Sequence, residues 1–189
     1  MPIIPENSIS SAKWYKETVE RLGAKNIQVQ KSIRSDLGEV VSSINIGEMY
    51  LYVYDPKLAE VLPQYDMVPL VLVFQKVPDG FYGLNLHYLP PLARLGLLES
   101  LMELKDKKTL SETTKLKLRW QVIKNAIRFP GVQECVKRYL YPNIQSRILK
   151  ISPLDWKKTI MLPLERFQKK SSRAVYNQSR RSMNTRGNN

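Results

Sequence analysis

Lysine and arginine are the residues of this chain that could do chemistry in numbers, and they fall in four groups. The first is Lys115, Lys117, Arg119, Lys124 and Arg128. The second is Lys137 and Arg138, followed by Tyr139 and Tyr141. The third is Arg147 and Lys150. The fourth is Lys157, Lys158, Arg166, Lys169, Lys170, Arg173, Arg180, Arg181 and Arg186. Residues 113–189 hold 18 basic and 3 acidic side chains, whereas residues 1–112 hold 12 basic and 14 acidic ones. The net charge of +13 is thus confined to one half. Such asymmetry points to a polyanionic partner, where uniform basicity would say less. Duplex DNA carries a negative charge about every 1.7 Å of its axis, and each neutralised phosphate releases counterions. Ser171, Ser172, Asn177, Gln178 and Ser179 can add neutral donors to phosphate oxygens. The candidate phosphate contacts are Lys117, Lys124, Arg128, Lys137, Arg138, Arg147, Lys150, Lys169, Lys170, Arg173, Arg180 and Arg181. A merely solvated helix face accounts equally well for the first group alone. A capsid-binding or RNA-binding arm is the competing reading of the last.

Other chemistries are poorly supplied. His87 is the single histidine and Cys135 the single cysteine, so a zinc site, a paired-histidine site and an intrachain disulfide are not expected. Cys135 reads as a small buried hydrophobe and His87 as a structural residue. No G-x-x-x-x-G-K-[ST] phosphate loop is present. A nuclease would need clustered carboxylates to hold metal ions. The cationic half offers only Glu134, Asp155 and Glu165, so a cluster assembled across the fold is the one remaining route to that activity. We therefore expect no catalytic residue, no metal, no cofactor and no small-molecule substrate. Tyr50, Tyr52 and Tyr54 could stack single-stranded bases, but a strand covered on both faces explains them better. Met1 to Asn7 lacks the features of a signal peptide, and the longest apolar stretch, Val68 to Phe74, is too short for a membrane span.

The elements that must position these residues read as α+β: a small antiparallel sheet or barrel, then a helical region, then a basic C-terminal arm. Four segments are expected: an N-terminal helix over 1–23, an extended linker or arm over 24–46, an α+β core over 47–163, and a basic helix or arm over 164–189. Ser10 caps the first helix and Gly23 ends it. Glu48 to Tyr54 alternates as a strand. Val68 to Val77 is a dense apolar strand with Pro69 at its start or at a sheet edge. Pro78-Asp79-Gly80 turns it into a hairpin with Phe81 to Tyr88, which puts His87 on a strand. Pro91 opens a helix to about Lys105, with Leu92, Leu95, Leu98, Leu101 and Met102 as its buried stripe. Thr109 and Glu112 fit a capping box before a helix bearing Leu116, Trp120, Ile123 and Ile127. A short helix is expected over Val132–Tyr141, a strand over Ile144–Ile151, and another over Thr159–Leu162. A helix could begin near Leu164.

Several segments resemble the DNA end protector proteins of T-even-like tailed bacteriophages. They are Gly80-Phe-Tyr-Gly-Leu-Asn-Leu-His-Tyr-Leu-Pro-Pro91, Arg128-Phe-Pro-Gly131, Cys135-Val-Lys-Arg-Tyr-Leu140, Gln145-Ser-Arg-Ile148, Asp155-Trp156 and Leu162-Pro-Leu-Glu-Arg-Phe167. Gly47-Glu-Met-Tyr50 and Leu62-Pro-Gln-Tyr-Asp66 are similar too, so the resemblance spans about residues 45–180. It implies a non-enzymatic virion protein of the phage head or neck that binds the termini of linear double-stranded DNA. It further implies protection of those termini from host exonuclease, in the host cytoplasm after injection. The alternative is a head-completion or neck protein that contacts portal or connector subunits as well as packaged DNA. Neither reading calls for a membrane.

Overall fold

The computed structural model describes residues 38–103, 111, 114, 121, 123–125 and 130–184. Among these residues eight strands are formed: β1 (Gly38–Val41), β2 (Met49–Leu51), β3 (Tyr65–Asp66), β4 (Leu70–Val77), β5 (Gly80–Asn85), β6 (Val136–Leu140), β7 (Ile148–Ile151) and β8 (Phe167–Gln168). The helices are α1 (Pro91–Glu103), α2 (Pro130–Gln133), α3 (Trp156–Ile160) and α4 (Ser172–Asn184). Six strands make one antiparallel sheet in the order β1-β7-β2-β4-β5-β6, and β3 pairs with β8 in a separate two-stranded ribbon. The architecture is α+β, and its sheet is open: β1 and β6 lie at its two edges.

The sheet's centre follows from one run of residues. Leu70, Val71, Leu72 and Val73 are all buried, which an uninterrupted apolar strand allows only where both faces are covered. Leu70 and Leu72 face a cluster with Met49, Leu84, Leu98, Trp156, Ile160 and Val175. Val71 and Val73 face another with Ile44, Tyr50, Tyr52, Tyr54, Phe81 and Tyr139. The three tyrosines of the β2 segment are therefore core, as their strand context suggests. Tyr52 and Tyr54 meet Tyr139 edge-on, with ring centroids 5.6 and 4.9 Å away. Pro78 and Asp79 form the two-residue turn between β4 and β5. Gly80 is required there because a Cβ would fall 1.9 Å from the Tyr139 carbonyl oxygen of β6. Cys135 is fully buried, which pushes its thiol up to about 12.

Several expectations are corrected. The segment 24–46 is not wholly a linker, since Gly38–Val41 pairs with β7 as an edge strand. Val132–Tyr141 is not a helix: α2 stops at Gln133 and Val136–Leu140 pairs with β5. Backbone pairing to an open sheet edge outweighs a weak helical spacing there. Thr159–Leu162 is not a strand. Trp156, Thr159 and Ile160 are buried on one side of α3, at offsets of three and four residues. His87 lies in a 3-10 turn after β5, capped by the Asn85 side chain. In α1, Leu98 is buried and Leu95 packs against the core as expected, but Leu92 is 82% exposed and Arg94, 2% exposed, takes the buried place instead. Residues 163–171 are not helical: they carry β8 and a bend at Lys169, and the helix begins at Ser172. The helix proposed over 10–22, the Thr109–Glu112 capping box, Lys117 and Arg128 lie outside the described residues.

A buried polar knot closes the fold. The Asp66 carboxylate accepts from the Val68 N–H at 3.1 Å, the Arg166 N–H at 2.9 Å, Asn85 Nδ2 at 3.2 Å and His87 Nδ1 at 2.7 Å. A carboxylate only accepts, so Nδ1 carries the shared proton. Burial pushes the Asp66 carboxyl up, but His87 and the two backbone donors outweigh it, and the net direction is down. A depressed carboxyl contributes stability that is whole above the unfolded value, about 4, and is lost as pH falls through the folded one. We expect the urea midpoint of the wild-type protein to drop more steeply between about pH 5 and pH 2 than that of Asp66→Asn. Parallel pH curves for the two proteins would remove Asp66 from the acid response.

Candidate nucleic-acid interface

Helix α4 carries the cationic face. Lys169, at φ 67°, turns the chain out of β8, and the Ser171 hydroxyl accepts the Ala174 N–H at 3.3 Å as the helix starts. Val175 and Ser179, four residues apart, are the buried side. The Ser179 hydroxyl donates to the Tyr88 carbonyl at 2.7 Å, and Ser182 bonds the Glu134 carboxylate. Tyr176 donates to Glu165 Oε1 at 2.5 Å and accepts from Arg94 Nη2 at 2.6 Å. Within the basic segment expected over 164–189, Ser172–Asn184 is thus a helix docked on the fold.

Docking leaves Arg173, Asn177, Arg180, Arg181 and Asn184 exposed. Arg173, Asn177, Arg180 and Asn184 recur at four, three and four residues, which is one face of a helix, and Arg181 flanks it. Arg173 and Arg180 are seven residues apart, about 10.5 Å along the axis, close to the roughly 12 Å width of the B-DNA major groove. Arg173 has no hydrogen-bond or ion-pair partner among the described residues, and Arg180 reaches only Asn177 Oδ1, at 3.5 Å. Lys170 extends the face at its start, with Nζ 3.1 Å from Gln178 Oε1. No acidic residue lies in the first turn, so the positive end of the helix dipole adds to the side-chain charge.

The other candidates are placed differently. Lys169 Nζ donates to the carbonyls of Ala59, Glu60 and Leu62 at 2.7, 2.6 and 3.0 Å, which makes it a brace for that loop. Lys137 stands on β6 with Nζ 4.3 Å above the Tyr88 ring, and burial lowers its ammonium from the usual range. Arg138 pairs with Asp79 Oδ2 at 2.6 Å across the hairpin turn; that hydrogen bond holds the Asp79 carboxyl below its ordinary value. Lys150 is 3.4 Å from Glu48 Oε2. Arg147 is exposed just before β7, and Lys124 is exposed in the helical segment 123–125. The structure therefore brings Arg173, Arg180 and Arg181 onto one helix with Lys170 just before its start, while Lys137, Arg138 and Lys150 already meet other groups of the fold.

Sequence reasoning missed Arg94, the residue that positions this face. Its guanidinium donates to the Leu89, Ile160 and His87 carbonyls at 2.8, 3.1 and 3.1 Å, besides Tyr176. Glu165 Oε2 is 3.9 Å away. One arginine between Ala93 and Leu95 carries no sequence signal of burial. Only the spacing of the stripe, shifted by two residues from Leu92, could have pointed to it.

Among the described residues no helix is long and apolar enough to cross a membrane, and no group of three or more His, Cys, Asp or Glu side chains is placed to hold a metal ion. Compared with known proteins, the chain matches no curated sequence and no solved structure. It does match a family profile, described as Phage T4 terminal DNA protecting protein, over residues 5–183. That span includes the sheet, the polar knot and all but the last residue of α4, so the chain belongs to the Phage T4 terminal DNA protecting protein family.

Proposed function

We propose that this protein binds the ends of linear double-stranded phage DNA without chemical turnover and shields them from host exonuclease. The outward arginine face of α4, held on a rigid core in a member of this family, carries the reading. Arginine guanidinium groups suit phosphate because their planar donors can engage two oxygens at once. Asn177 and Asn184 on the same face add neutral donors. Shielding needs no reacting group on the protein; occupying the terminus is enough to deny a processive enzyme its starting point. The virion, and the host cytoplasm after entry, are where such ends occur.

The test is digestion of a linear duplex by a processive exonuclease, with and without the full chain. Saturating protein is expected to leave most fragments at full length. A digestion rate independent of protein would overturn the reading. Equal affinity for circular and linear DNA, together with cross-links only to portal or connector subunits, would favour the neck role instead.

A further inference from the structure

The loop before β3 presents two large aliphatic side chains to solvent: Leu58 is 61% exposed and Val61 is 74% exposed. They are three residues apart in a turn closed by Ala59 N–H to Pro56 O, Val61 N–H to Leu58 O and Leu62 N–H to Leu58 O, each 3.1 Å long. That spacing puts both on one side of the turn. Pro56 and Pro63 stiffen its two ends. An isolated exposed leucine needs no explanation, but a braced pair does.

The bracing comes from the cationic face. Tyr65 pairs with Gln168 in the β3–β8 ribbon, so the loop and the start of α4 leave the ribbon side by side. Lys169 holds three loop carbonyls. Gln64 Nε2 donates to Gln178 Oε1 at 3.4 Å, and Lys170 Nζ donates to the same oxygen. An apolar tip is thereby fixed beside Lys169 and Lys170, at the start of the helix that carries the arginines. The loop itself bears Asp55, Lys57 and Glu60, so it is not a phosphate-binding surface.

A duplex terminus differs from the duplex interior in presenting the 5′ and 3′ strand ends and in exposing the flat apolar face of the last base pair, with phosphates at its rim. An apolar group next to cations is one arrangement that matches that exposed face and its rim. We propose that Leu58 and Val61 cover the exposed face of the terminal base pair while the α4 cations hold the adjoining phosphates. This rests on the end-binding reading given under Proposed function.

The probe is a short blunt duplex carrying 2-aminopurine in its terminal pair, compared with the same duplex closed at both ends by hairpin loops. The wild-type chain is expected to prefer the open duplex by about tenfold, the scale of one stacked base, and to change the 2-aminopurine fluorescence on binding. The L58S/V61S double variant is expected to bind both duplexes alike, with no fluorescence change and an unchanged salt slope. L58M/V61I is expected to restore the preference. Both sites are exposed, so the thermal midpoint should hold. A double variant that keeps the open-end preference, or that weakens open and closed duplexes equally, overturns the cap and leaves end binding standing. A wild-type chain with no preference overturns both.

Discussion

Replacing Arg173, Arg180 and Arg181 together by Gln is expected to leave a folded protein whose affinity for linear duplex falls about a hundredfold near 0.1 M salt. The log–log dependence of affinity on salt should flatten by about 3, one for each lost phosphate contact. Both effects follow from counterion release, and the loss should be nearly the same for any sequence, since phosphate contacts carry no base information. The three side chains are exposed, so the unfolding midpoint should move little. Lys169→Gln is the informative contrast. Its ammonium is bound to three loop carbonyls, so the slope should change by clearly less than one contact while the loop loosens. Salt titrations by fluorescence anisotropy read both variants. A triple variant with the wild-type slope would move the interface off α4.

Arg94→Ala is expected to lower stability by about 3–5 kcal/mol, because it leaves buried carbonyls without their donor and the Glu165 carboxylate without its ion-pair partner. Tyr176 loses a partner in the same step, so α4 should loosen before the sheet unfolds. Hydrogen exchange should therefore show faster amides in α4 than in β4 and β5 of the variant. DNA affinity should fall too, although no phosphate-facing group has changed. A loss below about 1 kcal/mol in urea unfolding would show that the buried guanidinium contributes little.

What could be seen in advance was local. Val68 to Val77, the Pro78-Asp79 turn and the Phe81 strand form a hairpin between sequence neighbours, and apolar runs with turn residues announce such a unit. Pro91 announced the start of α1 for the same reason. The basic residues after Lys169 were legible as a group because few carboxylates interrupt them. Non-local pairing was not legible. β6 reads as helix until β5 is present to pair with it, and Gly38–Val41 reads as linker until β7 is. Lys169 could be listed among phosphate contacts on charge alone; only the approach of the loop over 59–62 reveals its carbonyl partners. The same holds for Asp66, whose donors come from Asn85, His87 and Arg166.

The distance along the chain between Asp66 and Arg166 has a consequence for synthesis. A ribosome delivers residues from the N-terminus, so the Asp66 carboxylate is made long before the backbone amide that completes its set of partners. The central hairpin can form on the nascent chain, but the β3–β8 ribbon and the Arg94 contact to Tyr176 must wait until residues 167–176 are made. Of the described elements the cationic helix is thus the last to dock, and a product terminated before residue 167 would lack a finished core together with the helix proposed to hold nucleic acid.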